Sequence, residues 1–227
     1  MLNTKEIKAG GTGATPKTLQ PGNQKIMIHK VELEEFRYKP GALNLMLHAE
    51  GEPIEEDGYE GWWIDKDNHA LGKAKGQVGR IRSSEYAYSD GTTKSGIAVS
   101  RDADILKIMK NLCIELGCLD WLEAQNEKHA TVESLVETFS KDQPFKGKWL
   151  NICLAGKEYT NKEGYPNYDL FLPKYSKSGA PFQDAKASPS KVAPFDTTIH
   201  IKKKAVTDVE NFDSAEGTPA VNSDFKL

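Results

Sequence analysis

From Gln24 the chain alternates apolar and polar positions, which is how a strand with one buried face reads. Ile26 and Ile28 keep period two, and so do Val31 and Leu33, but a phase slip separates the pairs. A bulge or bend is needed to keep both pairs on one face. Lys39-Pro40-Gly41 makes a turn, and Leu43, Leu45 and Leu47 then alternate against Asn44, Met46 and His48, a half-buried antiparallel strand. The acidic loop "EGEPIEEDGYEG" leads into Trp62, Trp63, Ile64 and Asp65, which reads as a third short strand. In "GQVGRIRSSEYAYSDG", strand geometry would place Arg80, Arg82, Ser84, Tyr86 and Tyr88 on one face.

The period then changes. Ile105, Ile108, Met109, Leu112 and Leu116 recur at helical spacing, with Gly117 as the cap that ends the helix. A second helix runs from Thr131, its N-cap, through Val132, Leu135, Val136 and Phe139. Both apolar stripes are read as core. Alternation returns in "KWLNICLAGKEY", with Leu150, Ile152 and Leu154 opposite Trp149, Asn151, Cys153, Lys157 and Tyr159. Asn161 to Gly164 turns a hairpin, and "NYDLFLPKY" runs back.

The pattern divides the chain into a flexible Gly/Thr/Pro arm (1–23), a domain (24–176), a Ser/Pro/Ala/Lys linker with a short strand (177–204) and an acidic tail (205–227). The fold class expected is mainly β with inserted helices, an α+β domain with disordered termini.

Composition narrows the function. The 227 residues are 38% hydrophobic and 28% charged, as in a globular domain, and no apolar run approaches the roughly 18 residues of a membrane span. No secretory leader is read at the start, so the cytoplasm is the expected location and no membrane the expectation. Cys113, Cys118 and Cys153 lack metal-ligand spacing and are read as buried thiols. The net charge is −3; the tail holds Asp208, Glu210, Asp213, Glu216 and Asp224 against Lys226, a net of −4 that leaves about +1 for the rest.

No nucleophile with its base, metal motif or phosphate loop stands out, so the chain is expected to be neither an enzyme nor dependent on a cofactor or metal. The acidic run Glu50, Glu52, Glu55, Glu56 and Asp57 is read as a solvated loop. What does recur is cations interleaved with aromatic rings. Lys73, Lys75, Arg80 and Arg82 precede Tyr86 and Tyr88, and Lys94 and Arg101 follow; Lys157, Lys162 and Lys174 alternate with Tyr159, Tyr165, Tyr168 and Phe171; Trp62 and Trp63 add two large rings. Cations that track phosphates beside flat rings that stack bases are what a single-strand binder needs.

"KSGIAVSRD", "GQVGRIRSS" and "GKEYTNKEGYPNYDLFLPK", with the strands and inserted helices, resemble the single-stranded DNA-binding proteins of tailed bacteriophages, especially those of crAss-like phages. The resemblance spans roughly residues 20–176. It implies an OB-fold, a five-stranded Greek-key barrel whose open face and loops take up the strand. It further implies sequence-independent coating of single-stranded DNA in phage replication or recombination, inside an infected host cell. A disordered acidic C-terminus would dock replication or recombination proteins, here through Phe212, Asp224 and Phe225; the final Lys226-Leu227 departs from that pattern. The rival expectations are a β-barrel virion or assembly protein and a nucleic-acid-processing enzyme.

Overall fold

The computed structural model describes residues 15–65, 71–160, 166–188 and 190–203. Its elements are β1 (Gly22–Glu35), β2 (Leu43–Pro53), β3 (Gly76–Arg82), a small hairpin of β4 (Gly91–Thr92) and β5 (Ala98–Val99), helices α1 (Arg101–Glu115), α2 (Leu119–Glu123) and α3 (Val132–Asp142), then β6 (Trp149–Thr160), β7 (Pro166–Phe171), β8 (Phe182–Asp184), α4 (Thr197–His200) and β9 (Ile201–Lys202).

Five strands close on themselves. The order is β1-β2-β3-β7-β6, and β6 pairs back with β1 over Gly22–Met27. Every pairing around the ring is antiparallel except β3 with β7, where Ile81 lies beside Leu170 and Arg82 beside Phe171. Counted as barrel strands, the order is 1-2-3-5-4, with the helices inserted between the third and fourth strands. This is an OB-fold-like barrel.

The phase slip in β1 is a bulge. The register against β2 shifts between Ile28 and Lys30, and the carbonyl of the bulged His29 accepts a hydrogen bond from Gln143 Nε2 at 3.2 Å. One extra residue thus keeps Ile26, Ile28 and Val31 all fully buried. Leu45, Leu47, Ile81, Leu150, Ile152, Leu154 and Leu170 complete the inner face, and Ile105, Met109 and Leu112 of α1 with Val136 and Phe139 of α3 pack into the same core.

The helices start and stop for local reasons. Ser100 Oγ accepts from Ala103 N at the head of α1, and Thr131 Oγ1 accepts from Ser134 N at the head of α3. At the end of α1, Gly117 takes φ +59°, its N–H bonds the Ile114 carbonyl, and the Cys118 N–H bonds that of Cys113. This is the paired C-terminal bonding that a residue of left-handed conformation permits.

Two segments outside the expected domain belong to the barrel. Leu19 N donates to the Val78 carbonyl and Val78 N to that of Lys17; Leu19 is 2% exposed, so the end of the N-terminal arm lies along β3. The stretch read as a linker is likewise tied down: β8 pairs with Leu150–Ile152, β9 with Gly156–Lys157, and Phe182 is fully buried. His200 of α4 lies 3.9 Å from the Cys153 thiol, and this cover accounts for the burial of Cys153, opposite the core residues in strand phase. Among the described residues, no helix is long and apolar enough to cross a membrane.

Candidate nucleic-acid interface

The positions that alternate with the core residues of β2 and β3 floor a groove of about 650 Å³. Met46, His48, Arg80 and Arg82 line it, together with the rings of Trp62, Tyr159 and Tyr168. Trp62-Trp63 does not supply the third barrel strand. It forms one arm of a short hairpin, in which Ala74 N bonds the Trp62 carbonyl and Ile64 N that of Gly72. Ile64 and Ala74 bury against Val78 of β3 and seat the hairpin. A Cβ at Gly61 would lie 2.2 Å from the Ala74 carbonyl oxygen, so only glycine lets the arms approach this closely.

A second cleft of about 200 Å³ lies beside the β1–β2 loop and shares Glu34 and Arg82 with the groove. The two concavities therefore adjoin at these two residues. Phe36 and Tyr38 stand on that loop, 45% and 82% exposed, with Arg37 and Lys39 between and beside them. They are the functional candidates that the sequence reading missed. The available signal was "FRYKPG", the same interleaving of rings and cations, hidden by its reading as a plain turn.

Carboxylates already occupy the cations of the groove. Arg80 Nη2 lies 3.3 Å from Glu34 and 3.5 Å from Glu32, Lys30 Nζ lies 2.9 Å from Glu32 and 3.4 Å from Asp65, and Arg82 Nη2 lies 3.6 Å from Asp169. His48, buried, meets Glu32 through Nε2 at 2.7 Å, while its Nδ1 has no hydrogen-bond partner among the described residues. Burial pushes the Glu32 carboxyl up, but hydrogen bonds from Lys30 and His48 outweigh it and hold the group below its ordinary range. Hydrogen bonding to Glu32 in turn raises Lys30. A phosphate entering here would exchange with a carboxylate instead of meeting a bare cation. Lys157 differs: it stands exposed directly opposite Lys202 of β9, with neither in an ion pair among the described residues.

The remaining predicted residues divide by environment. Lys73 pairs with Glu60 and lies over the Trp63 ring, 6.0 Å from its centroid. Lys75 is exposed, and its backbone N–H bonds Glu50. Glu50 itself is buried, bonded also by Gly76 N and His29, and so departs from the solvated acidic loop expected there. Tyr86 is 69% exposed. Tyr88 does not share its face, because the strand ends at Arg82 and the chain bends: the Tyr88 ring packs on the core, its hydroxyl bonds Ser83, and burial raises its pKa. Tyr168 is partly buried against the core but also lines the groove beside Tyr159, whereas Phe171 is 6% exposed and does not lie open to a base. Lys94 lies in the turn between β4 and β5, which form a separate sheet. Arg101 braces the head of α1 through Asp102 at 2.7 Å and Glu133 at 3.0 Å. Lys174 is exposed beyond β7. Lys162, Tyr165, Phe212, Asp224 and Phe225 lie outside the described residues.

Fold and groove together define an OB-type barrel with an open, ring-edged face. No family model, curated protein or solved structure matches the chain.

Proposed function

We propose that this chain binds single-stranded DNA without strict sequence preference, taking the strand across the β2–β3 face of the barrel. The observation that carries the reading is a groove lined by Trp62, Tyr159, Tyr168, Arg80 and Arg82 and adjoined by a cleft lined by Phe36 and Tyr38. Rings at the edges stack bases whatever their identity, and guanidinium groups hold the phosphates between them. The face lies where OB barrels present their ligand surface, between the first loop and the last hairpin. Coating of strands exposed in replication or recombination is the role this chemistry suits.

Salt-titrated binding of the full chain to a single-stranded and a duplex oligonucleotide tests the reading. Affinity for the single strand should fall linearly with log salt, by about 0.7 in slope per phosphate neutralised. Equal affinity for duplex, or a slope near zero, sinks it.

A further inference from the structure

We propose that the cleft beside the β1–β2 loop is a nucleobase pocket that favours the guanine edge over those of the other bases. The inference rests on the binding reading above and adds a selectivity to it. Phe36 and Tyr38 meet edge to face, with centroids 5.8 Å apart and planes at 69°. Neither ring belongs to the core. Two rings so exposed on one loop form the apolar surface that marks a binding site on a soluble protein.

The loop that carries them is held rigid from both ends. Gly41 N donates to Glu35 at 2.7 Å, and the Gly41 carbonyl accepts from Arg101 Nη1 at 3.2 Å. Phe36 N bonds the Ala42 carbonyl at 2.8 Å, which closes the loop at its root. A ligand entering the cleft therefore has little loop entropy to overcome. Arg101, read from the sequence as a phosphate contact, is here a positioning residue for this loop.

The polar lining decides what kind of group fits. Glu34, Glu35 and Glu85 face the cleft against Arg37 and Arg82. Excess carboxylate repels a phosphate, but it accepts hydrogen bonds from a neutral base that presents donors. Glu35 is engaged by Gly41, and one oxygen of Glu34 by Arg80. Glu85, which also lines the cleft, has neither an ion pair nor a backbone donor among the described residues; its neighbour is the exposed Tyr86 phenol, which it holds above its ordinary range and which a ligand can displace. Behind it, buried Asn44 accepts from Ser83 Oγ at 2.9 Å and donates to the Ser84 carbonyl at 3.0 Å, which fixes the bend that carries Glu85.

Guanine alone among the DNA bases offers two adjacent donors, N1–H and N2–H, which a single carboxylate accepts together. Thymine offers one N–H between two carbonyls that a carboxylate repels. Adenine and cytosine each set one amino group beside an acceptor nitrogen. With a base stacked on Tyr38, the phosphate next to it falls towards Arg82, the residue shared with the main groove.

The test is fluorescence anisotropy on the full chain with labelled dT15, d(TTG)5, d(TTA)5 and d(TTC)5, in which isolated guanines cannot form quadruplexes. The guanine oligonucleotide should bind at least about fivefold more tightly than the other three, the lower end of what a bidentate base contact gives. Glu85→Gln should bring that ratio close to one, because a carboxamide no longer offers two acceptor atoms. Tyr38→Ala, at a ring 82% exposed, should leave the melting temperature in place and weaken all four complexes. Equal affinities for the four oligonucleotides, with binding intact, overturn the pocket and leave the groove standing. A guanine preference that survives Glu85→Gln overturns it also. Absence of binding to all four removes the function itself.

Discussion

Arg82 joins the two concavities, and its pairing with Asp169 makes a sharp prediction. The guanidinium and carboxylate are 3.6 Å apart, with side chains 32% and 48% exposed. At that separation the attraction of two unit charges in a water-like medium is about 1 kcal/mol, and exposed pairs measure about 0.2–1 kcal/mol. A phosphate that binds Arg82 must give back that amount. Asp169→Asn should therefore tighten single-strand binding by up to about fivefold at low salt, the affinity equivalent of 1 kcal/mol. Arg82→Ala should weaken binding and lower the salt slope by about 0.7, the loss of one neutralised phosphate. In the Arg82→Ala background, Asp169→Asn should gain almost nothing, because its effect runs through the freed guanidinium. Anisotropy titrations of the four proteins between low and physiological salt form a double-mutant cycle that isolates this coupling. Melting temperatures should barely differ. The reasoning is refuted if Asp169→Asn matches the parent, or gains as much without Arg82 as with it.

Trp62→Ala should weaken single-strand binding by about 1–3 kcal/mol, measured by the same titration. Phe171→Ala, at a ring 6% exposed, should cost about 3–5 kcal/mol of folding stability in chemical denaturation; a small loss with a large binding defect would make it a contact residue after all. Because the folded Glu32 carboxyl titrates below its ordinary range, its contribution to stability is complete above about pH 4.3 and is lost as the pH falls through the lowered value. Glu32→Gln should consequently be less stable than the parent at neutral pH and converge with it in acid, as followed by thermal melts. Removing the residues after Ala205 deletes five acids and one lysine; single-strand affinity should rise at low salt and the gain should fade as salt screens both ligands. Equal affinities at low salt would remove the tail as a competitor.

Alternation and helical spacing by themselves determined the two long helices, the Gly117 end of the first, the Thr131 cap of the second and four of the five barrel strands. They did so because a strand or helix with one buried face must repeat its apolar residues at that element's own period. Even the bulge in β1 was legible, since Ile26, Ile28 and Val31 cannot share a face without an extra residue. The third barrel strand was legible as a strand, but its place was not. Trp62-Trp63 carries β-forming side chains that, among the described residues, pair with residues 72–74, while Gly76–Arg82 takes the ladder. Local propensity cannot rank two segments competing for one sheet edge.

The site divided along the same line. Rings and cations interleaved in sequence marked the right strands, yet composition could not tell which rings would be exposed. Tyr88 is partly buried because the chain bends after Arg82, and Phe171 is buried because β7 is closed in among its neighbours. Only the tertiary structure brings Glu32, Glu34 and Asp169 against Lys30, Arg80 and Arg82, turning what read as a cationic face into one whose charges are already matched. Nor could periodicity show that residues 182–202 pack on β6, since short polar segments gain their order from the sheet they join. A charge pattern is a property of the chain, whereas electrostatic potential is a property of the fold, set by residues as far apart in sequence as Arg82 and Asp169 that meet across a barrel.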